Sequence, residues 1–282
     1  MKLLRYGIKG FEKPGVLDDQ GQIRDLSGYI DDISGSALSD EAISHLRKLD
    51  LNTLPKVAGN PRIGSCVNHV GKFICIGLNY ADHAAEANMP VPEEPIIFNK
   101  WTSAISGPND DVEIPIGSTK TDWEVELGVV IGKAGRYISE SDAMDYIAGY
   151  CVINDVSERE WQIERGGTWD KGKGFDTFGP IGPWLVTRDE VPNPHELGLW
   201  LEVDGHRYQN GNTNTLIFKI PEIIAYLSRC MSLQPGDIIS TGTPPGVGMG
   251  IKPNAVYLKP GQTMKLGIDG LGEQQQFTVA AK

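Results

Sequence analysis

The chain has 282 residues, of which 40% are apolar and 22% are charged, and its formal net charge is −11. These values are typical of a globular protein with one large domain, or with a large domain and a small one. The acidic balance argues against nucleic acid or an anionic membrane as the main partner, because both attract basic surfaces.

The first part of the chain is predicted to be a small N-terminal α/β domain over residues 1–68, followed by a larger domain over 69–282. Residues 2–25 have the composition of short strands separated by a hairpin turn. The apolar residues of 39–49 recur at helical spacing, after a polar residue that can act as the N-cap. A turn-rich segment, 60–64, marks the expected boundary.

Beyond that boundary the pattern predicts mainly strands, with few helices. Alternating or fully apolar runs predict strands at 73–80, where the strand runs into a polar segment, and at 96–100, 122–132, 150–154, 184–186, 199–203, 238–241 and 276–279. Helices are predicted over 82–88, 157–165 and 220–230, the last with a proline in its first turn. Short strands without a regular βαβ alternation predict a β-rich α+β fold, and they disfavour Rossmann and TIM-barrel folds.

The four cysteines and the start of the chain bear on the compartment. Cys66, Cys75, Cys151 and Cys230 are scattered and lack C-x-x-C spacing, which disfavours a zinc site or a redox motif. The first residues contain no apolar signal-peptide core, and no run is long enough to cross a membrane. The expected location is the cytoplasm.

Three carboxylates stand on or beside two of the predicted strands. Residues two apart on a strand share a face, so Glu124 and Glu126 point the same way, about 7 Å apart, and Asp155 follows the second strand. Carboxylates this close repel each other and would tend to raise each other's pKa. A divalent cation between them would relieve that repulsion. Oxygen donors alone suit Mg²⁺, Mn²⁺ or Ca²⁺. The alternative is that both glutamates face solvent on an edge strand, and the spacing does not decide between the two.

Two further motifs carry residues that can move a proton or hold an anion. On a helix, Glu86 and His83 are neighbours, so Glu86 could orient His83 to take a proton from water. The alternative is a capped helix start with a surface histidine. Lys173 lies in the glycine-rich stretch 166–180 and could hold a carboxylate or an enolate, or simply belong to a solvated loop.

Polar residues on either side of these motifs complete the set of candidates. Arg159 and Gln162 could share a helical face turned toward the cation, or lie on an amphipathic surface helix. Thr243 belongs to the segment 241–248, which follows a predicted strand and lacks the Gly-Lys-Ser/Thr ending of a P-loop. A hydroxyl and backbone N–H groups at a strand end can bind a small anion, although a plain turn is the alternative.

Six segments together resemble the fumarylacetoacetate hydrolase family, in order and in rough spacing, from about residue 72 to the end of the chain. They are 76–86, 95–100, 123–132, 154–159, 173–180 and 241–248. The resemblance implies a mixed β-sandwich roll as the core, usually a homodimer, and Mg²⁺ or Mn²⁺ as the cofactor. The implied metal ligands are Glu124, Glu126 and Asp155.

The resemblance also implies roles for the remaining candidates. It identifies His83 and Glu86 as a pair that activates water, and Lys173 as a residue that anchors the substrate. Thr243 would bind the carboxylate of the substrate. Arg159 and Gln162 match positions near the ligand.

Members of this family act on 2-oxo or 1,3-dicarbonyl acids. The segments 4–7, 12–15 and 24–27 resemble the branch that hydrolyses 2,4-diketo-3-deoxy sugar acids such as those from fuconate or rhamnonate, whose members are often labelled ureidoglycolate lyase. The predicted function is therefore metal-dependent cleavage of a C–C bond in a 2,4-dioxo (acylpyruvate-type) acid, with release of pyruvate. The alternatives are ureidoglycolate lyase, a decarboxylase or isomerase of 2-oxo diacids, and a metal-stabilised binding protein without turnover.

Overall fold

The computed structural model describes residues 1–86 and 89–282. Within these ranges the chain forms 17 strands and four α-helices. The strands are β1 Lys2–Tyr6, β2 Lys13–Leu17, β3 Ile23–Asp25, β4 Phe73–Gly77, β5 Ile96–Lys100, β6 Ile105–Ser106, β7 Val112–Ile114, β8 Thr121–Asp122, β9 Val125–Ile131, β10 Ile147–Asn154, β11 Ser157–Glu158, β12 Gly179–Thr187, β13 Gly198–Val203, β14 His206–Asn212, β15 Ile238–Ser240, β16 Thr263–Ile268 and β17 Gly272–Ala280. The helices are α1 Asp40–Leu46, α2 Ala81–Glu86, α3 Asp170–Lys173 and α4 Ile220–Cys230.

A ten-stranded mixed sheet is the larger of the two main layers. Its order is β3-β2-β1-β12-β10-β9-β15-β4-β5, and β6 pairs with β12 beside that path. The N-terminal strands extend this sheet, because β1 pairs with β12 in the register Lys2↔Val186 and Leu3↔Leu185. The division into domains at residue 68 stays a prediction.

A five-stranded sheet, in the order β14-β13-β16-β17-β7, packs over one face of the large sheet. Their shared core contains apolar residues of both layers, such as Leu127 of β9 and Leu201 of β13. The other face of the large sheet packs against α1 through Ile43 and Leu46. Burial of both faces explains why β9 and β10 are buried at every position.

The alternation of side chains along β9 separates its apolar residues from its acidic ones. Val125, Leu127 and Val129 point into the core between the sheets, so Glu126 points to the opposite face. Strands β9 and β10 are antiparallel, with Val125 opposite Asn154. The start of β9 therefore lies beside the end of β10, where Asp155 follows.

The predicted helices agree only in part with the structure. Helix α1 begins after Ser39, whose Oγ accepts the Ala42 N–H at 3.2 Å, and α4 has the predicted bounds. The predicted helix 82–88 is described up to Glu86, and its last two residues lie outside the described part of the chain. No helix in the described ranges is long and apolar enough to cross a membrane.

The prediction of a helix over 157–165 is wrong at its start. Ser157 and Glu158 pair with β8 as the short strand β11, and only Glu160–Glu164 then forms a π-helical turn. The helix α3 lies close to this turn, because a Cβ on Gly172 would lie 2.4 Å from the Gln162 nitrogen. Pairing with a distant strand therefore overrides the local helical pattern.

Candidate metal centre and its pocket

Three carboxylates meet where β9 begins and β10 ends. One oxygen each from Glu124, Glu126 and Asp155 lie within 4.8 Å of one another, and all three residues are buried. Strand β9 lies between β10 and β15 in the interior of the large sheet. The alternative of two solvent-facing glutamates on an edge strand is therefore excluded.

Two buried lysines hold the same carboxylates. The Lys173 Nζ lies 2.7 Å from both Glu124 Oε2 and Asp155 Oδ2, so its ammonium group bridges two of the three acids. The Lys100 Nζ donates to Asp155 Oδ1 at 2.5 Å and to the Val156 carbonyl at 3.0 Å. Asp155 is thus held between two cations, one from β5 and one from α3.

Arg159 connects the carboxylates to the loop that follows β15. Its Nη2 lies 2.6 Å from Glu124 Oε1, and its Nε donates to Asp122 Oδ2 at 2.8 Å. Asp122 in turn accepts the backbone N–H groups of Gly248 and Met249, at 2.7 and 3.0 Å. The guanidinium therefore fixes the side chain of Glu124 relative to that loop.

The electrostatic environments of the two glutamates are opposite. Burial raises the pKa of Glu126, and the neighbouring Asp155 and Glu124 carboxylates raise it further. Burial alone would raise the pKa of Glu124 as well, but Lys173 and Arg159 outweigh it and hold that pKa well below its usual range. Of the two glutamates, only Glu126 therefore has the raised pKa that the spacing predicts.

The residues present fit a hard divalent cation. All three carboxylates offer oxygen donors, and the Lys173 ammonium already places a positive charge between Glu124 and Asp155. Glu126 uses its Oε2 to accept from Ser240 Oγ at 2.6 Å and from the Gly242 N–H at 2.8 Å. Oxygen-only donor sets of this kind select Mg²⁺, Mn²⁺ or Ca²⁺ over softer metals.

A histidine and a glutamate from α2 lie at the edge of the same cavity. The His83 Nδ1 is 3.1 Å from Glu86 Oε2, as the helical spacing predicts. The Gly246 N–H lies 3.1 and 3.2 Å from the two oxygens of Glu86. Burial raises the pKa of Glu86, but these hydrogen bonds outweigh burial, so the net pKa is lowered and the group is a carboxylate.

Thr243 lies beside the carboxylates, but its hydroxyl group is already engaged. The Oγ1 donates to the Val125 carbonyl at 2.9 Å and accepts from Gln209 Nε2 at 2.7 Å. Within the described residues the Thr243 backbone N–H has no acceptor. The hydroxyl proton is therefore directed at Val125 and not at a ligand in the cavity.

A cavity of about 320 Å³ brings these groups together. Of the nine residues predicted from the sequence, seven line it: His83, Glu124, Glu126, Arg159, Gln162, Lys173 and Thr243. Glu86 and Asp155 are not among its lining residues, and each contacts one that is. The predicted candidates therefore form one site.

Comparison with known proteins identifies the family of the chain. A profile of the family described as "Fumarylacetoacetate (FAA) hydrolase C-terminal" matches residues 72–279. The chain belongs to the fumarylacetoacetate hydrolase family. A Burkholderia ambifaria protein provisionally named a hydrolase is 71% identical over 282 residues and covers 100% of both chains.

Two solved structures of this family share the fold over the whole chain. The fumarylacetoacetate hydrolase of the psychrophile Exiguobacterium antarcticum is 33% identical, with a TM-score of 0.87 and 100% coverage of both chains. The maleylpyruvate hydrolase of Sphingobium sp. SYK-6, in complex with manganese(II) and pyruvate, is 30% identical, with a TM-score of 0.83 and the same coverage. The predicted β-rich fold of the fumarylacetoacetate hydrolase type is thus confirmed.

Sequence reasoning missed three buried residues that hold this family member's site together: Lys100, Asp122 and Gln209. Lys100 had a signal, since it stands at an inward-facing position two residues after Phe98 of β5. Asp122 and Gln209 had none, because their partners are Arg159 and Thr243, which only the folded chain brings near.

Proposed function

We propose that this protein hydrolyses the C3–C4 bond of a 2,4-dioxo acid of the acylpyruvate type, with Mg²⁺ or Mn²⁺ as the cofactor, and releases pyruvate. The observation that carries the proposal is the position of the His83–Glu86 pair at the edge of a cavity whose buried end holds three carboxylates and Lys173. The Sphingobium relative supports it, because its structure contains manganese(II) and pyruvate.

Glu124, Glu126 and Asp155 would hold the cation. When bound, it would act as a Lewis acid and as a template for the 2-oxo and carboxylate oxygens of the substrate. Thr243 lines the cavity, and in this proposal its backbone N–H would donate to the same carboxylate.

His83 is the group that takes the proton from water. Its Nδ1 faces the Glu86 carboxylate, which favours the tautomer with the proton on Nδ1 and a free lone pair on Nε2. The Gly246 N–H holds Glu86, so the imidazole is oriented before the substrate arrives. Removal of such a base costs a factor of about 10² to 10⁴ in rate.

The reaction balances without any other reactant. The oxygen of water bonds to C4, and the C3–C4 bond breaks with its electron pair on the three-carbon fragment as an enolate. The proton that His83 took returns to C3, which gives pyruvate, and the acyl group leaves as a carboxylic acid. The Lys173 ammonium, 2.7 Å from Glu124 and Asp155, would stabilise the negative charge of the enolate.

Hydrolysis is favoured over decarboxylation by the histidine pair, because loss of CO₂ from a 2-oxo diacid needs no attacking water. The ureidoglycolate lyase and isomerase alternatives differ in their products. The homodimer and the cytoplasmic location stay predictions. The 2,4-diketo-3-deoxy sugar acid also stays a prediction, although the apolar side chains of the cavity do not favour its hydroxylated acyl group.

A substrate panel tests the proposal. The purified protein is assayed with several 2,4-dioxo acids and with oxaloacetate in the presence of Mg²⁺ or Mn²⁺, and the products are identified by mass spectrometry. We expect pyruvate and one equivalent of a carboxylic acid from a dioxo acid, without CO₂. Release of CO₂ from oxaloacetate alone would favour a decarboxylase, and no turnover of any compound by metal-loaded protein would favour a binding protein.

A further inference from the structure

We infer that the acyl group of the substrate is apolar, either a short alkyl chain or an aromatic ring. This inference rests on the proposed function and specifies the part of the substrate that the catalytic groups do not touch. It follows from how polar and apolar atoms are distributed around the cavity.

The polar groups of the cavity lie beside its carboxylates. Gln162 accepts through Oε1 from Arg159 Nη1 at 3.0 Å, and the same guanidinium contacts Glu124. Thr243 bonds to the carbonyl of Val125, the residue between the two glutamates. These groups are therefore positioned for the dioxo acid portion of the substrate. Among the described residues, the other lining side chains carry no hydroxyl or amide group.

The remaining lining side chains are apolar, apart from the indole N–H of Trp169. They come from separate parts of the chain and include Leu78, Met89, Phe98, Ile163, Trp169 and Met249. Met89 and Ile163 are about half exposed, at 49% and 48%, although both are large and apolar. Large apolar side chains at the open edge of a cavity are those that an apolar ligand would cover.

The two aromatic side chains of this apolar wall, Trp169 and Phe98, are fixed in place. Trp169 packs against the backbone of Gly77, where a Cβ would lie only 2.4 Å from the indole Cζ3, and its ring centroid is 5.4 Å from that of Phe98. Its carbonyl accepts the Lys173 N–H at 3.1 Å. The tryptophan and the catalytic lysine therefore share one turn, which sets the distance between the wall and the reacting atoms.

A second carboxylate at the far end of the acyl group would lie away from both cations of the described lining. Lys173 contacts Glu124 and Asp155, and Arg159 contacts Glu124 and Asp122, so both lie at the end of the cavity that would hold the dioxo acid. A hydroxylated chain would lose its hydrogen bonds to water without replacement, which weakens binding. We expect selectivity of roughly tenfold to a hundredfold for the apolar group.

The experiment compares three acylpyruvates of equal chain length, whose acyl groups are an alkyl chain, its hydroxylated analogue and its terminal carboxylate. The kcat/KM of each is measured with saturating Mg²⁺ through pyruvate release. We expect the kcat/KM of the alkyl compound to be at least tenfold higher than that of either other compound. Equal or higher values for the hydroxylated or carboxylated compound overturn the inference and leave the proposed function standing, whereas no pyruvate from any compound overturns both.

A matched pair of variants locates the effect. Ile163→Asn places an amide on the wall, and Ile116→Asn places one on a surface position that is 81% exposed and away from the cavity. We expect Ile163→Asn to lower the ratio of alkyl to hydroxylated kcat/KM about tenfold, and Ile116→Asn to leave that ratio unchanged. An unchanged ratio in Ile163→Asn would show that this wall does not contact the acyl group.

Discussion

Two clusters of charged side chains in this protein, one partly buried and one buried, differ in how their charges are balanced. In the N-terminal cluster, Arg62 lies 2.7 Å from Glu12 and 2.5 Å from Asp110, and Arg5 lies 2.7 Å from Asp32. Each of these three carboxylates contacts an arginine. At the candidate metal centre, by contrast, no lysine or arginine of the described chain lies within ion-pair distance of Glu126.

The difference separates a structural cluster from a functional one. Arginines outweigh burial and lower the pKa of Glu12 and of Asp110, whereas burial and two nearby carboxylates raise the pKa of Glu126. A cluster in which every acid is paired with an arginine holds segments of the chain together. An acid that has no cationic side chain beside it and lies next to a cavity can bind a metal cation there. Burial of charge alone therefore does not mark a site.

Replacement of Glu126 by glutamine should have the largest effect. The neutral amide keeps the shape of the side chain and removes a negative charge that the cation needs, so we expect turnover to fall about a thousandfold. Because Glu126 has no ion pair to lose, we also expect no loss of thermal stability without metal. Calorimetric Mg²⁺ titration, melting curves and the pyruvate assay measure these effects, with Glu113→Gln on the exposed β7 position as the control.

If Glu126→Gln melted well below the wild-type protein in the absence of metal, Glu126 would be a structural acid like those of the N-terminal cluster. The contrast between the two clusters would then be lost.

Replacement of His83 by alanine should separate chemistry from metal binding. We expect hydrolysis to fall about a hundredfold or more, because the base that takes the proton from water is removed. The Mg²⁺ affinity should not change, since the three ligands are untouched. The control is His45→Ala, an exposed histidine on α1. Full activity in His83→Ala would remove this residue from the proposed role.

Replacement of Lys100 by methionine should destabilise the protein, because it removes one of the two lysines that balance the charge of Asp155. It leaves the buried Asp155 with only Lys173, so we expect the free energy of unfolding without metal to fall by about 3 kcal/mol. Saturating Mg²⁺ should recover part of that loss, because the cation neutralises Asp155. Lys72→Met, which breaks the 2.7 Å pair with Asp237 away from the carboxylates, should also destabilise the protein but gain nothing extra from Mg²⁺.

Replacement of Arg62 by methionine tests the structural cluster and should have the smallest effect. We expect a loss of about 2 kcal/mol at neutral pH, between the values for exposed and buried pairs, with kcat and Mg²⁺ affinity unchanged. Because the pKa values of Glu12 and Asp110 are lowered in the folded protein, their contribution to stability is lost as the pH falls through those values. The difference in the free energy of unfolding between variant and wild type should therefore decrease as the pH is lowered from about 7 to about 3. Urea unfolding at several pH values measures it, and a constant gap would contradict this account.

Local sequence patterns were enough to predict much of the fold and the nine candidate residues. The period-two pattern around β9 placed Glu124 and Glu126 on one face, and a helical spacing of three placed Glu86 next to His83; the structure has both arrangements. Such patterns are readable because they depend only on neighbours in the chain.

What escaped prediction depends on partners far along the chain. The segment 157–165 has a helical pattern, yet its first two residues pair with β8. Asp122 could not be recognised as the partner of Arg159, nor Lys100 as the partner of Asp155, because tertiary structure alone brings each pair together. The engaged hydroxyl of Thr243 is a further example, since its acceptor lies on β9.

The attachment of β1 to β12 has a consequence for biosynthesis. The amino group of Met1 donates to Thr187 Oγ1 across 186 positions, and Leu3 is opposite Leu185. The ribosome must therefore synthesise the chain as far as β12 before β1 can pair with that strand. Until then the nascent hairpin of β1 and β2 carries an unpaired edge, which is the state that chaperones shield and that contact order makes slow to resolve. In pulsed hydrogen exchange during refolding, the β1 amides that bond to β12 should gain protection no earlier than those of β12.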